Sequence, residues 1–301
     1  MTRRDLLKTN IALGFAAVSG AGAATTKPAV TNPLKPPVSG SIPVAFLISD
    51  GAVMIDFAGP WEVFQDALVI RRHENTPVFR LYTVAEKLDP ITASAGMKIV
   101  PDYTFETAPP PKVVVIPAQG GQSDGMLQWI RKSAETADVV MSVCTGAFLL
   151  AASGLLKGKP ATTHHGFYQS FAMQYQDVHL KRGYRFAESG NIATAGGLSS
   201  GIDLALHIVE RYYGREAAEH TALYMEYQGN GWKDSSGADN AIYTSAAYLK
   251  SQVLCPVCGM PVDRDGAPKS DYNGKTYYFC SHSDKDTFDA APGKYIPTAG
   301  K

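Results

Sequence analysis

Cys144 is the residue whose surroundings most clearly indicate reactive chemistry. The stretch from Val139 to Leu150 reads V-V-M-S-V-C-T-G-A-F-L-L, so an apolar, β-branched run ends at the thiol and a small-residue step opens a second apolar run. This pattern predicts a strand, a sharp turn that carries the thiol, and a helix whose first N–H groups point towards it. Such donors lower the pKa of a thiol. The alternative is a buried structural cysteine, because free cysteine is among the most buried residue types.

A second group of thiols lies near the C-terminus. Cys255 and Cys258 form a C-x-x-C pair, and Cys280 follows in the string Y-Y-F-C-S. Thiolates at this spacing suit a soft metal ion, Zn(II) or Cu(I). A single disulfide, Cys255 to Cys258 or Cys258 to Cys280, is the alternative in an oxidising compartment.

The segments around Cys144 alternate between strand patterns and helix patterns. Strands are predicted at 42–48, 78–85, 99–103, 113–116, 139–143, 184–187 and 191–194. Helices are predicted at 123–137, 165–175, 199–213 and 215–227, and a further helix has Pro60 in its first turn and continues to about Arg72. This alternation predicts an α/β sandwich around a mostly parallel sheet. A shift to Gly, Asn, Ser and Asp predicts a linker at 229–251, and the residues after it are too few for a stable core without a staple such as a metal ion.

Composition excludes some classes of function. Lys+Arg and Asp+Glu are both 28, so the formal net charge is zero, and no basic run provides an electrostatic basis for binding nucleic acid. With 45% hydrophobic and 19% charged residues, the chain is typical of folded globular proteins.

The first residues have the charged, apolar and small-residue regions of a signal peptide, at 1–24. Arg3 and Arg4, followed by D-L-L-K, resemble a twin-arginine signal, which predicts export of the folded protein to the periplasm. No membrane span is expected after the signal is removed; an amphipathic leader or an uncleaved anchor is the alternative. Four prolines in residues 25–41 predict an extended tether.

Three separated segments resemble the ThiJ/PfpI superfamily, which has the class I glutamine amidotransferase-like fold, and in particular its isonitrile hydratase-like branch. They are V-C-T-G-A-F-L-L-A-A-S-G-L-L-K-G-K-P-A-T-T-H-H at 143–165, I-D-F-A-G-P-W-E-V-F at 55–64, and T-A-G-G-L-S-S-G-I-D-L-A-L-H-I-V-E-R at 194–211. The resemblance covers roughly residues 42–228. It implies a flavodoxin-like α/β/α sandwich with a nucleophile elbow, no cofactor in this domain, and a homodimer.

The resemblance also implies a catalytic pair. Cys144 would be the nucleophile and Asp56 the acidic residue facing it. A carboxyl beside a sulfur tends to stay protonated or to share a proton, because two adjacent anions are costly. Asp56 would then pass on a proton or hold a water; the alternative is that it merely caps the helix near Pro60. Thr145 stands where protease-like relatives have a histidine, which disfavours amide hydrolysis.

The loop after the central strand departs from the family pattern. It reads P-A-Q-G-G at 117–121, where the family has a proline followed by two glycines. Gly120 and Gly121 are predicted to frame the substrate, and Gln119 narrows the pocket or offers its amide. His164 is a further candidate for substrate binding, although a partly buried pair with His165 is the alternative.

Residues 252–297 resemble a YHS domain, a TRASH-like heavy-metal-binding module, through C-G-M, G-K-T-Y-Y-F-C-S and P-G-K-Y. The resemblance implies that Cys255, Cys258 and Cys280 bind zinc or copper. Asp284 stands where a further cysteine is usual, so the fourth ligand is predicted to be His282 or Asp284.

The combined prediction is an exported, cysteine-dependent enzyme with hydratase or lyase action on a small electrophile, an isonitrile or a reactive carbonyl, and with an attached metal-binding module. The main alternative is a non-catalytic protein that binds or senses metal or redox stress, with Cys144 as a redox-sensitive thiol. Transcription regulation ranks lower, since no helix-turn-helix pattern follows residue 228 and the leader directs export.

Overall fold

The computed structural model describes residues 32–67, 69, 77–234, 253–258, 261–262, 264 and 266–296. The predicted signal peptide, residues 25–31 of the tether and residues 235–251 of the linker lie outside the described residues. In the part of the chain that is described, no helix is both long and apolar enough to cross a membrane.

Seven strands form the central sheet of the main domain, in the order β10-β11-β7-β6-β1-β2-β5. All neighbouring pairs are parallel except β10 and β11, which form an antiparallel hairpin. The strands of the described chain are β1 Ile42–Leu47, β2 Phe79–Ala85, β3 Ile91–Thr92, β4 Lys98–Ile99, β5 Tyr103–Thr104, β6 Val113–Ile116, β7 Val139–Val143, β8 Pro160–Ala161, β9 His179–Leu180, β10 Phe186–Ser189, β11 Ile192–Ala195, β12 Val253–Leu254, β13 Pro261–Val262, β14 Lys269–Tyr272 and β15 Lys275–Tyr278.

Helices cover both faces of the sheet. The described helices are α1 Met54–Gln65, α2 Asp124–Ala134, α3 Gly146–Ala152, α4 Tyr168–Gln174, α5 Ser200–Tyr213, α6 Arg215–Tyr224 and α7 His282–Ala290, with short 3-10 turns at Ser94–Gly96, His165–Phe167, Gly231–Lys233 and Pro292–Lys294. Most of these bounds lie within a few residues of the predicted ones. The helix predicted to have Pro60 in its first turn and to continue to about Arg72 is wrong at both ends, since α1 begins at Met54, contains Pro60 in its interior and ends at Gln65.

Two hydrophobic clusters lie on opposite faces of the sheet, because successive side chains of a strand point to opposite sides. In β1, Val44 and Phe46 join a cluster with residues of α1 and α5, whereas Ala45 and Leu47 join a cluster with residues of α2 and α3. Parallel strands covered on both faces need continuous apolar sequences, and V-V-V-I in β6 is one. The predicted flavodoxin-like α/β/α sandwich is confirmed.

The main domain includes residues on both sides of the predicted 42–228 region. The backbone N–H of Leu34 donates to the carbonyl of Arg211 at 2.7 Å, which fixes part of the predicted tether against α5. Trp232, at the start of the predicted linker, is only 2% exposed, and Arg215 lies 5.0 Å from the centre of its ring. Burial of an indole of this size contributes substantially to the core.

The C-terminal module is built from two short hairpins and α7. Its buried residues in the described chain are Cys255, Phe279 and Phe288. Ser281 caps α7, since its hydroxyl accepts a hydrogen bond from the N–H of Asp284 at 3.1 Å. A core of this size supplies little stability by itself, which leaves room for a metal staple.

Candidate functional site

Cys144 lies directly after β7 in a strained backbone conformation. Its φ is 59°, in the left-handed region, which costs a non-glycine residue on the order of 1 kcal/mol. Its N–H donates to the carbonyl of Gly196 at 2.8 Å, and the hydroxyl of Thr163 donates to its carbonyl at 2.9 Å. Because two other segments of the chain bind the N–H and the carbonyl of Cys144, the turn keeps the sulfur fixed above the sheet.

Gly146 makes this turn possible. A Cβ atom at this position would lie 2.2 Å from the carbonyl oxygen of Ile116 and 2.8 Å from that of Pro117. Only glycine therefore allows α3 to begin so close to the end of β6. The close approach brings Cys144 beside the loop that follows the central strand.

Asp56 lies in the first turn of α1 and has no exposed surface. Its Oδ2 accepts a hydrogen bond from the N–H of Ala118 at 3.1 Å, whereas Oδ1 makes no hydrogen bond of good geometry within the described residues. The neighbour of this carboxyl is the thiol of Cys144. Val53 is the N-cap of α1 and no side chain caps it, so the alternative that Asp56 merely caps the helix is wrong.

Burial dominates the protonation of this pair. It raises the pKa of Asp56 from 3.8 to about 6, against the opposing effects of the Ala118 N–H and the Cys144 thiol. Burial, and next the charge of Asp56, raise the pKa of Cys144 to about 12, although the N–H groups of Thr145 and Leu198 oppose the shift. The expected lowering of the thiol pKa is therefore wrong, because desolvation outweighs the backbone donors. At neutral pH the pair holds one proton between sulfur and carboxylate.

The C-terminal cysteines converge on a second site. The ligand atoms of Cys255, Cys258, Cys280 and Asp284 all lie within 4.8 Å of one another. The Cys258 and Cys280 sulfurs are 3.4 Å apart, and Oδ2 of Asp284 lies 3.3 Å from the Cys255 sulfur and 3.2 Å from that of Cys280. Cys255, Cys258 and Cys280 form no disulfide within the described residues, so neither alternative disulfide is present there. Zn–S bonds of about 2.3 Å place tetrahedral sulfurs about 3.8 Å apart, which fits this cluster.

The surroundings of Cys255 favour the thiolate form of its side chain. Its pKa is lowered to about 6 by the Cys258 thiol, and the N–H groups of Cys258, Cys280 and Val257 act in the same direction against burial. Since a thiolate is the form that binds metal, this environment favours binding near neutral pH.

Comparison with known families matches residues 43–211 to the DJ-1/PfpI family and residues 253–299 to the YHS domain. The chain belongs to the DJ-1/PfpI family. Isonitrile hydratase of Pseudomonas putida is 31% identical over 210 residues, which cover 67% of this chain and 85% of that protein. The HTH-type transcriptional regulator CdhR of Pseudomonas aeruginosa is 24% identical over 58% of this chain and 51% of its own length.

A solved structure of a ThiJ/PfpI family protein from Pseudomonas syringae superimposes with a TM-score of 0.54 at 28% sequence identity, covering 71% of this chain and 83% of that one. This likeness supports the assignment of the main domain to the DJ-1/PfpI family, whereas the C-terminal YHS domain is identified by the family match at residues 253–299.

The loop at 117–121 of the DJ-1/PfpI domain is held by hydrogen bonds to residues 47–50, at the end of β1 and just after it. Nε2 of Gln119 donates to the carbonyl of Leu47 at 3.1 Å. The hydroxyl of Ser49 lies 2.7 Å from the carbonyl oxygen of Gly120 and 3.0 Å from Oε1 of Gln119, so these two acceptors share its one hydrogen. The N–H of Gly120 donates to the carbonyl of Asp50 at 3.0 Å. These contacts hold the Gln119 amide against the segment that follows β1, and its predicted role in narrowing the pocket or contacting substrate stays a prediction. Gly121, at φ 70°, closes the same turn.

His164 is a half-buried member of a stacked pair. Its ring lies 4.3 Å from that of His165, and its Nδ1 accepts a hydrogen bond from the N–H of Gly166 at 3.1 Å. Burial, followed by the neighbouring His165, lowers the pKa of His164 to about 4. The ring is therefore neutral near pH 7 and carries its proton on Nε2, where it can donate to a bound group.

Sequence reasoning missed Leu198. Its backbone N–H interacts with the Cys144 sulfur, alongside that of Thr145, and its φ of 48° is again in the left-handed region. The signal was the double glycine in A-G-G-L, because two glycines before an apolar residue indicate a close backbone approach. Gly197 supplies that approach, since a Cβ there would lie 2.3 Å from the His164 ring.

Asp284, and not His282, completes the cysteine cluster of the YHS domain. His282 is exposed and lies outside the group of converging ligand atoms. The reason is geometric: residues two apart on a helix do not share a face. The fourth position predicted as His282 or Asp284 is thus assigned to Asp284.

Changing Asp56 to asparagine is expected to make folding stability less dependent on pH. Because the folded state binds this proton more tightly than the unfolded state, the stabilisation that Asp56 contributes is fully present below about pH 4 and is lost as the pH rises through about 6. The variant lacks this titration, so its free energy of unfolding relative to wild type should increase by about 3 kcal/mol over that range. Urea unfolding between pH 4 and 8 measures the difference; a constant difference would contradict the buried, raised carboxyl.

Proposed function

We propose that this protein is a cysteine-dependent hydratase that adds water to a small electrophilic carbon, such as that of an isonitrile or a reactive carbonyl. The observation that carries the proposal is the pairing of a thiol in a strained turn with a buried carboxyl that shares its proton. The 31% identity to isonitrile hydratase supports the choice of substrate. Among the described residues, the groups that shift the pKa of the Cys144 thiol include no histidine, which disfavours peptide hydrolysis.

In the proposed reaction the pair acts as one unit. Asp56 takes the proton of the Cys144 thiol, and the sulfur forms a bond to the isonitrile carbon. Asp56 then returns the proton to that same carbon, giving a thioimidate, R–N=CH–S–Cys. Water next adds to the carbon, the C–S bond breaks, and the sulfur recovers a proton. The sum is R–NC plus water giving the formamide R–NH–CHO, so atoms and electrons balance without an oxidant or a cofactor.

The backbone donors have a role in this sequence. As the proton leaves, negative charge grows on sulfur, and the N–H groups of Thr145 and Leu198 already interact with it. Such donors stabilise a developing charge without reorganisation during the reaction. A high thiol pKa in the resting state is compatible with this chemistry, because proton transfer to Asp56 accompanies the attack.

The reaction is tested by product identity. Purified protein is incubated with a panel of alkyl and aryl isonitriles in ¹⁸O-water, and the formamide is measured by mass spectrometry. The expected result is one ¹⁸O atom per formamide, together with a covalent adduct of substrate mass at Cys144 after acid quench. No formamide from any isonitrile, and no adduct with small aldehydes, would contradict the proposal.

We further propose that the YHS domain binds one metal ion through Cys255, Cys258, Cys280 and Asp284. The convergence of the four ligand atoms carries this second proposal. Three thiolates and one carboxylate fit tetrahedral Zn(II), whereas Cu(I) prefers sulfur ligands alone. Zinc is therefore the favoured occupant, and it would stabilise a module with a small core.

A further inference from the structure

A cavity of about 130 Å³ lies beside the Cys144 turn. Its lining residues come from three segments: Thr163, His164, His165 and Tyr168; Arg185; and Gly196, Gly197, Leu198, Ser199 and Ser200. This volume is many times the roughly 10–15 Å³ that one water needs, so the cavity can accept a small organic group. None of the lining residues is an aspartate or glutamate.

Three residues that line the cavity also contact Cys144. Thr163 and Gly196 hold the backbone of Cys144 by hydrogen bonds of 2.9 and 2.8 Å, and the N–H of Leu198 interacts with its sulfur. Leu198 and Ser199 are exposed and form the rim. A molecule whose reactive carbon lies at the sulfur could therefore place a second group in the cavity.

The cavity is lined with hydrogen-bond donors. The hydroxyl of Ser200 is on a residue only 1% exposed and has no hydrogen-bond partner among the described residues. Tyr168 accepts a hydrogen bond from the N–H of Gly183 at 2.9 Å, so its own hydroxyl hydrogen is left to donate. His164 uses Nδ1 as an acceptor, which leaves its Nε2–H as a donor. An unpartnered buried hydroxyl is costly, and a bound acceptor would satisfy it.

Arg185 adds a fixed positive charge. Its Nε donates to Oδ2 of Asp203 at 2.7 Å and its Nη2 donates to the same oxygen, while Nη2 also lies 3.4 Å from the hydroxyl of Ser199. Asp203 is 1% exposed and also accepts a hydrogen bond from the Tyr227 hydroxyl at 3.1 Å. Within the described residues these bonds use Nε and Nη2, which leaves Nη1 for a ligand. Such a guanidinium suits a carboxylate better than a neutral group.

We propose that this cavity binds a carboxylate, so that the natural substrate is a small electrophile with a carboxylate a few bonds from the carbon that Cys144 attacks. Arg185 and Ser200 would contact the carboxylate oxygens, with Tyr168 and His164 as further donors. This inference rests on the proposed function for the identity of the reactive carbon, but binding of a carboxylate in the cavity does not require turnover.

Binding is tested with acetate against acetamide, which has nearly the same shape and no charge. Saturation-transfer NMR titrations are run on wild-type protein and on Cys144→Ala, so that covalent chemistry plays no part. Acetate is expected to bind both proteins at least tenfold more tightly than acetamide. Ser200→Ala should weaken acetate binding about tenfold. Ser142→Ala is the matched control, since Ser142 is also a buried serine whose hydroxyl has no hydrogen-bond partner in the described part of the chain, but it lies outside the cavity. This variant should leave binding unchanged.

Arg185→Lys is a second variant that keeps a positive charge opposite Asp203. Because lysine lacks the Nη1 donor of the guanidinium, this variant should lose most of the preference for acetate over acetamide. Circular dichroism should show that it remains folded. Equal binding of acetate and acetamide, or acetate binding unaffected by Ser200→Ala and Arg185→Lys, would overturn the inference. The two proposals fail separately: acetate binding without any hydration supports the cavity and refutes the hydratase, whereas rapid hydration of isonitriles that acetate does not inhibit refutes the cavity alone.

Discussion

Hydration of isonitriles is expected to disappear when Cys144 is changed to alanine, and to slow by about 10²- to 10⁴-fold when Asp56 is changed to asparagine. The alanine variant has no nucleophile. The asparagine variant keeps a side-chain oxygen that can accept the Ala118 N–H, so its shape is preserved, but it cannot take the thiol proton. Steady-state kinetics of formamide production measure both effects.

The pH profile separates a proton carrier from a structural residue. Because the pKa of Asp56 is about 6, wild-type kcat/KM should rise with pH through this value as the carboxylate becomes available to accept the proton. In Asp56→Asn this limb should be absent. Ser142→Ala, a change in the buried strand β7 beside the site, serves as the packing control and should keep both the rate and the profile. An asparagine variant with near wild-type rates would exclude Asp56 as the proton carrier.

Loss of any cluster cysteine is expected to remove the metal from the YHS domain. Cys258→Ser or Cys280→Ser leaves two sulfurs and one carboxylate, and serine is a poor ligand at neutral pH, so bound zinc should fall from one equivalent to none. Since metal binding and folding are coupled in small modules, the C-terminal hairpins should also lose protection from proteolysis. Elemental analysis of natively purified protein and limited proteolysis measure the two effects.

Cys144→Ala is the matched control for the metal site, because it removes a cysteine that is not among the converging ligands. It should retain one equivalent of zinc. Asp284→Asn should weaken binding without abolishing it, since three thiolates remain. Wild-type protein that shows no metal and one fewer pair of titratable thiols would contradict the metal site and favour a disulfide.

Together these variants distinguish the two sites within one chain. The Cys144 and Asp56 changes should affect turnover and leave the metal in place, while the cluster variants should lose metal. A change in turnover on zinc removal from wild-type protein would reveal coupling between the domains, which is the feature that a metal-sensing function requires.

The sequence alone determined the fold and singled out the candidate reactive groups. Continuous apolar strands such as V-V-V-I in β6 can be buried only between two layers of helices, so the alternation of elements predicts the sandwich. The small-residue step after Cys144 indicates a turn that lifts the thiol from the sheet. Gly146 is needed in this turn because a Cβ atom there would lie 2.2 Å from the carbonyl oxygen of Ile116. The spacing of Cys255, Cys258 and Cys280 likewise predicts a metal site, because metal ligands follow a local spacing.

The tertiary structure decided how these groups behave. Burial sets the protonation of Cys144 and Asp56, and burial depends on packing between segments far apart in the chain, which is why the predicted lowering of the thiol pKa was wrong. The contacts of the Gln119 amide with Ser49 and Leu47 join positions about 70 residues apart, so no local pattern could have predicted them. The choice of Asp284 over His282 depends on which face of α7 meets the hairpins. Local spacing specifies which chemical groups are present; long-range packing determines their solvation, their partners and the direction in which they point.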